Sequence, residues 1–147
     1  GTPSATRPCT TALINRGIEP YKGSWALPGG FINMNETAED GALRELKEET
    51  GVEDIYLEQF HTFTAVDRDP RERVMTIAFL AFIRQDDYSV VAGDDAAKAQ
   101  WYPVDKLPEL AFDHEEIIKM ALDKLRWKII YETNMLAEKL LHFRYFP

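Results

Sequence analysis

Apolar and polar positions change period several times along the chain, and each change marks an element. Residues 9 to 16 mix β-branched and apolar side chains and end at a glycine, which predicts a strand. From 37 to 51 the period is helical: Ala38, Ala42 and Leu46 recur every four residues as a narrow apolar stripe, while Glu45, Glu48 and Glu49 share another edge. Thr37 is placed to cap the amide of Asp40, and Gly51 should end the helix. Residues 55 to 65 and 74 to 83 read as strands, the second so continuously apolar that burial on both faces is expected. A charged connection with one proline, 66 to 73, lies between them. Residues 86 to 95 form an acidic loop and 99 to 104 a short strand around Trp101. Asp113 is expected to cap a helix over 114 to 128, with Ile117, Ile118, Ala121, Leu122 and Leu125 at amphipathic spacing. A C-terminal helical extension is expected over 131 to 147, with its pattern clearest from 134 to 143.

Composition narrows the class. The 147 residues predict a single domain, with 1 to 8 as a loop. A 45% hydrophobic and 29% charged composition is that of a globular protein, and no apolar run approaches the roughly 20 residues that cross a bilayer. The net charge of -8 opposes loose binding to a nucleic-acid backbone, which needs Lys and Arg to displace counterions. A small anionic substrate stays possible, because a bound divalent cation inverts the local field. Cys9 is the single cysteine and reads as a small buried residue, and the N-terminus has no apolar signal core, so a cytoplasmic location is expected.

The glutamate edge brings in chemistry. Magnesium takes oxygen ligands and keeps several waters, so protein sites offer a few carboxylates and leave the rest to substrate phosphates. Glu45 and Glu49 are one helical turn apart and can hold the same ion; Glu48 is placed to join a second ion or polarise a water. Arg44, four residues before Glu48, can clamp it with a fixed fork. Gly29 and Gly30 predict a tight turn of positive φ, from which a carbonyl can add an oxygen. The alternative for an Arg-Glu-Leu-Lys-Glu-Glu stretch alone is a solvated helix with ordinary ion pairs.

The full spacing runs from Gly30 and Glu36 through Arg44, Glu45, Glu48 and Glu49 to Gly51 and Val52, and arises by chance on the order of once in 10⁹ starting positions. In it the chain resembles the Nudix hydrolases. The resemblance implies an α/β/α sandwich around a mixed sheet, with hydrolysis of a nucleoside diphosphate linked to another group, assisted by Mg2+ or Mn2+. It makes Gly30, Glu45, Glu48 and Glu49 metal-site residues and assigns Arg44 and Glu36 supporting parts. Glu48, Glu49 and Arg44 are then the catalytic candidates, with Glu48 the favoured base and Asp95 a loop alternative. Gly41 departs from the family's usual alanine.

Residues 19 to 31, 68 to 71 and 107 to 114 are similar to the ADP-ribose pyrophosphatase branch and to the related regulators of NAD metabolism. That branch implies cleavage of ADP-ribose to AMP and ribose 5-phosphate, with a nucleotide-sensing module and a Nudix hydrolase of another nucleotide as alternatives. Arg68, Arg71 and Arg73 are candidates to contact phosphate or ribose, or else to brace a turn. Trp25 and Phe112 are candidates to stack on adenine, with core or rim packing as the alternative. His114 is placed either at the substrate mouth or in a local hydrogen bond. Relatives of this branch suggest a homodimer; neither nucleic acid nor membrane is an expected partner.

Overall fold

The computed structural model describes residues 9–84, 96–131 and 139–144. Strand β1 (Thr10–Arg16) is central to one antiparallel ladder, flanked by β2 (Trp25–Ala26) and β5 (Ala96–Pro103). Its register on β5 runs from Thr10 opposite Pro103 to Asn15 opposite Lys98. The second ladder centres on β4 (Thr76–Arg84), between β3 (Glu58–Phe63) and β6 (Lys139–Arg144). Both ladders are antiparallel; a parallel bridge between Trp25 and Leu110 makes the sheet system mixed.

Helices α1 (Ala38–Thr50) and α2 (His114–Tyr131) lie on opposite faces, and β4 shows why. Its side chains alternate: Ala78 and Leu80 pack with Ile117, Ile118, Ala121 and Leu125 of α2, whereas Phe79 and Ala81 pack with Ala42 of α1 and Leu57. A strand covered on both sides has no polar face to show, which is why its sequence is a continuous apolar run. The arrangement is the expected α/β/α sandwich. The apolar stripe of α1 is the packed one, with Ala42 and Leu46 fully buried and Ala38 against the same cluster. No helix among the described residues is long and apolar enough to cross a membrane.

The limits of α1 follow from its caps. Thr37 is extended and its hydroxyl accepts from the Asp40 amide at 3.1 Å; Gly51, at φ 77°, donates its amide to the Lys47 carbonyl from a left-handed conformation. Thr37→Ala removes one cap from the helix that carries the glutamates, and is expected to lower stability by about 1 kcal/mol. An unchanged denaturation midpoint would show that water replaces the hydroxyl without loss.

Three expectations are corrected. The segment 139–144, read as part of a helix, is strand β6, paired with β4 from Phe79 opposite Arg144 to Arg84 opposite Lys139. Away from β3, β4 has a second row of backbone donors and acceptors, and pairing them outweighs a short helical pattern. Asp113 precedes α2, but both its carboxylate oxygens go to Arg68, while its carbonyl accepts from the amides of Glu116 and Ile117. Gly29 and Gly30 are not in the left-handed region; positive φ falls at Gly23 and Gly51. The expectations for 1 to 8 and 86 to 95, including Asp95, lie outside the described residues.

Candidate active site

The acidic edge of α1 is held by one guanidinium. Arg44 donates from Nε and Nη2 to both oxygens of Glu36, at 3.0 and 2.7 Å, and Nη1 reaches Glu45 at 2.8 Å and Glu48 at 3.3 Å. Nη2 also donates to the Phe31 carbonyl. The Arg44–Glu48 pairing read from the i, i+4 spacing is therefore present, but the forked contact goes to Glu36. Hydrogen bonds from Arg44 and then from the Asn33 amide hold the Glu36 carboxyl down at about 2. Bonding to Glu36 raises Arg44 above its usual range, despite the opposing cost of burial. Arg44→Ala leaves three carboxylates close together without their common cation, and should cost roughly 2 kcal/mol of unfolding free energy after allowance for partial exposure. A midpoint shift equivalent to under about 0.5 kcal/mol would mark the web as solvated surface chemistry.

The glutamates divide. Glu49 is buried at 6% exposure, and its Oε1 accepts from the Gly29 amide at 3.3 Å. The Glu45 side chain is 16% exposed and lies over Gly30, where a Cβ would come within 2.5 to 2.9 Å of the carboxylate group. Gly30 is thus needed because another group occupies the space, not for its backbone freedom. Glu48 is 57% exposed, turned toward Arg44, and does not line the cavity that Glu45 and Glu49 share. Among the described residues no three Asp, Glu, His or Cys side chains converge as a metal cluster. Two carboxylates over a glycine turn nevertheless fit a hard divalent cation, which needs only one or two from the protein when phosphates and water complete its shell.

That cavity is about 420 Å³, the size of a small-ligand site. Besides the glutamates it is lined by Arg16, Arg68, Asp69, Arg71, Phe112 and His114. Phe112, at φ 52°, has the Arg16 guanidinium 4.9 Å and the Arg71 guanidinium 5.5 Å from its ring centre, with Tyr21 edge-on at 4.8 Å. Arg71 also lies 5.6 Å from the Phe31 ring and is gripped by both oxygens of Asp69. The Arg71 bonds, offset in part by burial, lower the Asp69 carboxyl.

The other expected contacts are placed differently. Arg68 is buried, with Nε and Nη2 on Asp113 and Nη1 on Thr76, so its guanidinium ties the 64–75 connection to β4 and α2. Arg73 donates to the carbonyls of Thr64 and Ala65, the bracing alternative. Trp25 packs edge-on against Tyr102 at 4.9 Å and is not part of the cavity. His114 is 1% exposed, and its Nδ1 accepts from the Leu27 amide at 3.0 Å. Burial, then the nearby Arg68 and Arg16 charges, push its imidazole down to about 3, so the ring is neutral. Sequence reading missed Arg16 and Asp69 as cavity residues. Arg16 ends β1 beside Gly17, a strand-to-loop position that is a signal for such a site; Asp69 is marked by its place two residues before Arg71.

Residues 8–121 match the NUDIX domain family. Over 116 residues the chain is 44% identical to the ADP-ribose pyrophosphatase of Methanocaldococcus jannaschii, covering 79% of this chain and 66% of that protein. Over 123 residues it is 32% identical to the ADPR responsive transcriptional repressor NtrR of Acinetobacter baylyi, covering 81% of this chain and 49% of that one. The chain thus spans about two thirds of one relative and half of the other. Among solved structures, a MutT/nudix family protein from Enterococcus faecalis superposes with a TM-score of 0.74 at 35% identity, over 88% of this chain and 66% of that one. The NUDIX domain of Shewanella oneidensis NrtR, solved in complex with ADP ribose, gives 0.69 at 27% identity, over 80% and 85%. With the glycine, the arginine web and the paired glutamates in the matched region, the chain belongs to the Nudix hydrolase family.

Proposed function

We propose that this chain hydrolyses the pyrophosphate of a nucleoside diphosphate linked to another group, and that ADP-ribose is its substrate, with Mg2+ or Mn2+ as cofactor. The observation that carries this reading is the shared cavity, which brings two carboxylates together with an arginine and aromatic cluster. The identity to an ADP-ribose pyrophosphatase supports the substrate.

In this reading Glu45 and Glu49 hold the cation, with the Gly29 amide orienting Glu49 and Arg44 restraining Glu45. The bound cation supplies charge neutralisation at the pyrophosphate and a more acidic water. Arg71, aimed by Asp69, offers a fixed cation to a phosphate oxygen, and the Phe112 face receives the nucleoside. Glu48 lies outside the cavity and is turned to Arg44, so the proton of the attacking water is released to solvent rather than to it. The water oxygen bonds to one phosphorus and the bridging P–O bond breaks; ADP-ribose plus water gives AMP and ribose 5-phosphate.

A magnesium-dependent hydrolysis screen over ADP-ribose, NAD, other nucleotide sugars and nucleoside triphosphates tests this directly. ADP-ribose should show the highest kcat/KM, and a preference for triphosphates would overturn the substrate. A second reading, a sensor of ADP-ribose, is favoured by the likeness to a repressor described as ADPR responsive. It predicts tight ADP-ribose binding without turnover.

A further inference from the structure

A separate groove of about 430 Å³ shares no lining residue with the cavity of the glutamates. One wall is residues 61–65, the end of β3 and the positions that follow it. Side chains alternate between the faces of a strand, so a cavity on a face meets every second residue. Consecutive residues along a wall mark the strand's edge instead. Among the described residues β3 is paired with β4 alone, which leaves that edge with a row of main-chain donors and acceptors outside the ladder. The other wall is Glu116, Lys119, Met120 and Asp123 of α2, spaced by three and four and therefore on one face of the helix. Half-buried Met120 packs on the core cluster that contains Phe63, and the two supply an apolar floor; Glu116 and Asp123 stand exposed. Lys119 is the one Lys or Arg among the described lining residues, and its ammonium already sits 3.4 Å from Glu115.

The geometry points to a docking groove for an extended, basic segment of a partner protein, which joins the sheet as a strand beside β3 with α2 along its side. An added strand meets the edge through main-chain hydrogen bonds whatever its sequence, and takes its selectivity from alternate side chains. Those on the α2 side lie over Met120, between two carboxylates. Lysine suits that position: its methylene stem covers the apolar floor and its ammonium reaches Glu116 or Asp123. These two are seven residues apart on α2, roughly 10 Å along the axis, which a strand spans in about three residues, so lysines at alternate positions serve both. A second copy of this chain is the poorer occupant, because two-fold pairing of β3 would set the acidic rims of two chains of net charge -8 against each other. The role of the groove does not depend on what the glutamate cavity binds.

The test uses the full chain and a short blocked peptide, Lys-Val-Lys-Val-Lys-Val, with affinity read by calorimetry and location by amide hydrogen exchange. The peptide should bind and slow the exchange of those amides of β3 (Glu58–Phe63) that do not pair with β4. The same peptide N-methylated along its backbone keeps the lysines but cannot pair, and should not bind. Glutamate in place of lysine, or Glu116→Lys combined with Asp123→Lys in the chain, should each weaken binding about tenfold. Should the double reversal not fold, Glu116→Gln with Asp123→Asn removes the charges alone, with a loss of about threefold. Absence of binding, equal binding of the N-methylated or the glutamate peptide, or protection confined to the glutamate cavity would overturn the proposal. So would β3 amides that become protected without peptide as protein concentration rises, the mark of a second copy in the groove.

Discussion

Glu49→Gln should lower kcat on ADP-ribose by about 10³-fold while leaving the fold intact. The substitution is isosteric, and the amide oxygen can still accept from Gly29, so the local hydrogen bond survives. What disappears is the negative charge. A cation that stabilises a developing phosphate charge contributes several kcal/mol, and each 1.36 kcal/mol is tenfold in rate, so weakening its hold at one of two cavity carboxylates accounts for a loss of that order. Steady-state rates over a magnesium titration, with thermal unfolding in parallel, separate the outcomes. Turnover undiminished at every magnesium concentration would remove Glu49 from the metal site and, with it, the cavity as the place of reaction.

Gly30→Ala should produce a different signature, a large loss of activity with little loss of stability. The new methyl carbon would lie 2.5 Å from Glu45 Oε1 and 2.6 Å from its carboxyl carbon, closer than any tolerated contact. Those atoms are the end of a flexible side chain, and Gly30 is not in the left-handed region, so the chain relaxes by swinging Glu45 aside. The displaced carboxylate also pulls away from Arg44 Nη1. A rearrangement near 1 Å at a positioned group costs about 10²-fold, and that is the expected fall in kcat. The unfolding midpoint should move by less than the equivalent of about 1 kcal/mol, the usual range away from cavities and strained backbone. A parallel collapse of midpoint and rate would mean that the backbone, not Glu45, gives way.

What could be read from sequence was what is local. The caps Thr37 and Gly51 and the four-residue stripe bounded α1 because their partners lie within four positions. The unbroken apolar run over β4 announced two covered faces without saying by what. The misread features are those whose partners are remote. Residues 139–144 carry a pattern that suits a helix until the free edge of β4 is present. The sequence leaves Arg68 open between a phosphate contact and a brace, and only Asp113, 45 positions away, shows where its fork goes. Arg16 carries only the weak signal of a strand end beside a glycine, because Phe112, the ring beneath it, is supplied by the opposite half of the chain. The motif located the carboxylate half of the cavity; the other half is assembled through space and carries no spacing rule.

Arg44 has one further consequence. Its guanidinium already bonds to Glu36, Glu45 and Glu48, so the acidic edge is supplied with an internal counterion before any ion arrives from solution. Folding of α1 and recruitment of a cation are therefore separable events, unlike small metal domains whose ligands repel one another until the ion binds. An incoming ion has only to compete with one guanidinium nitrogen for one Glu45 oxygen, an exchange between preformed states.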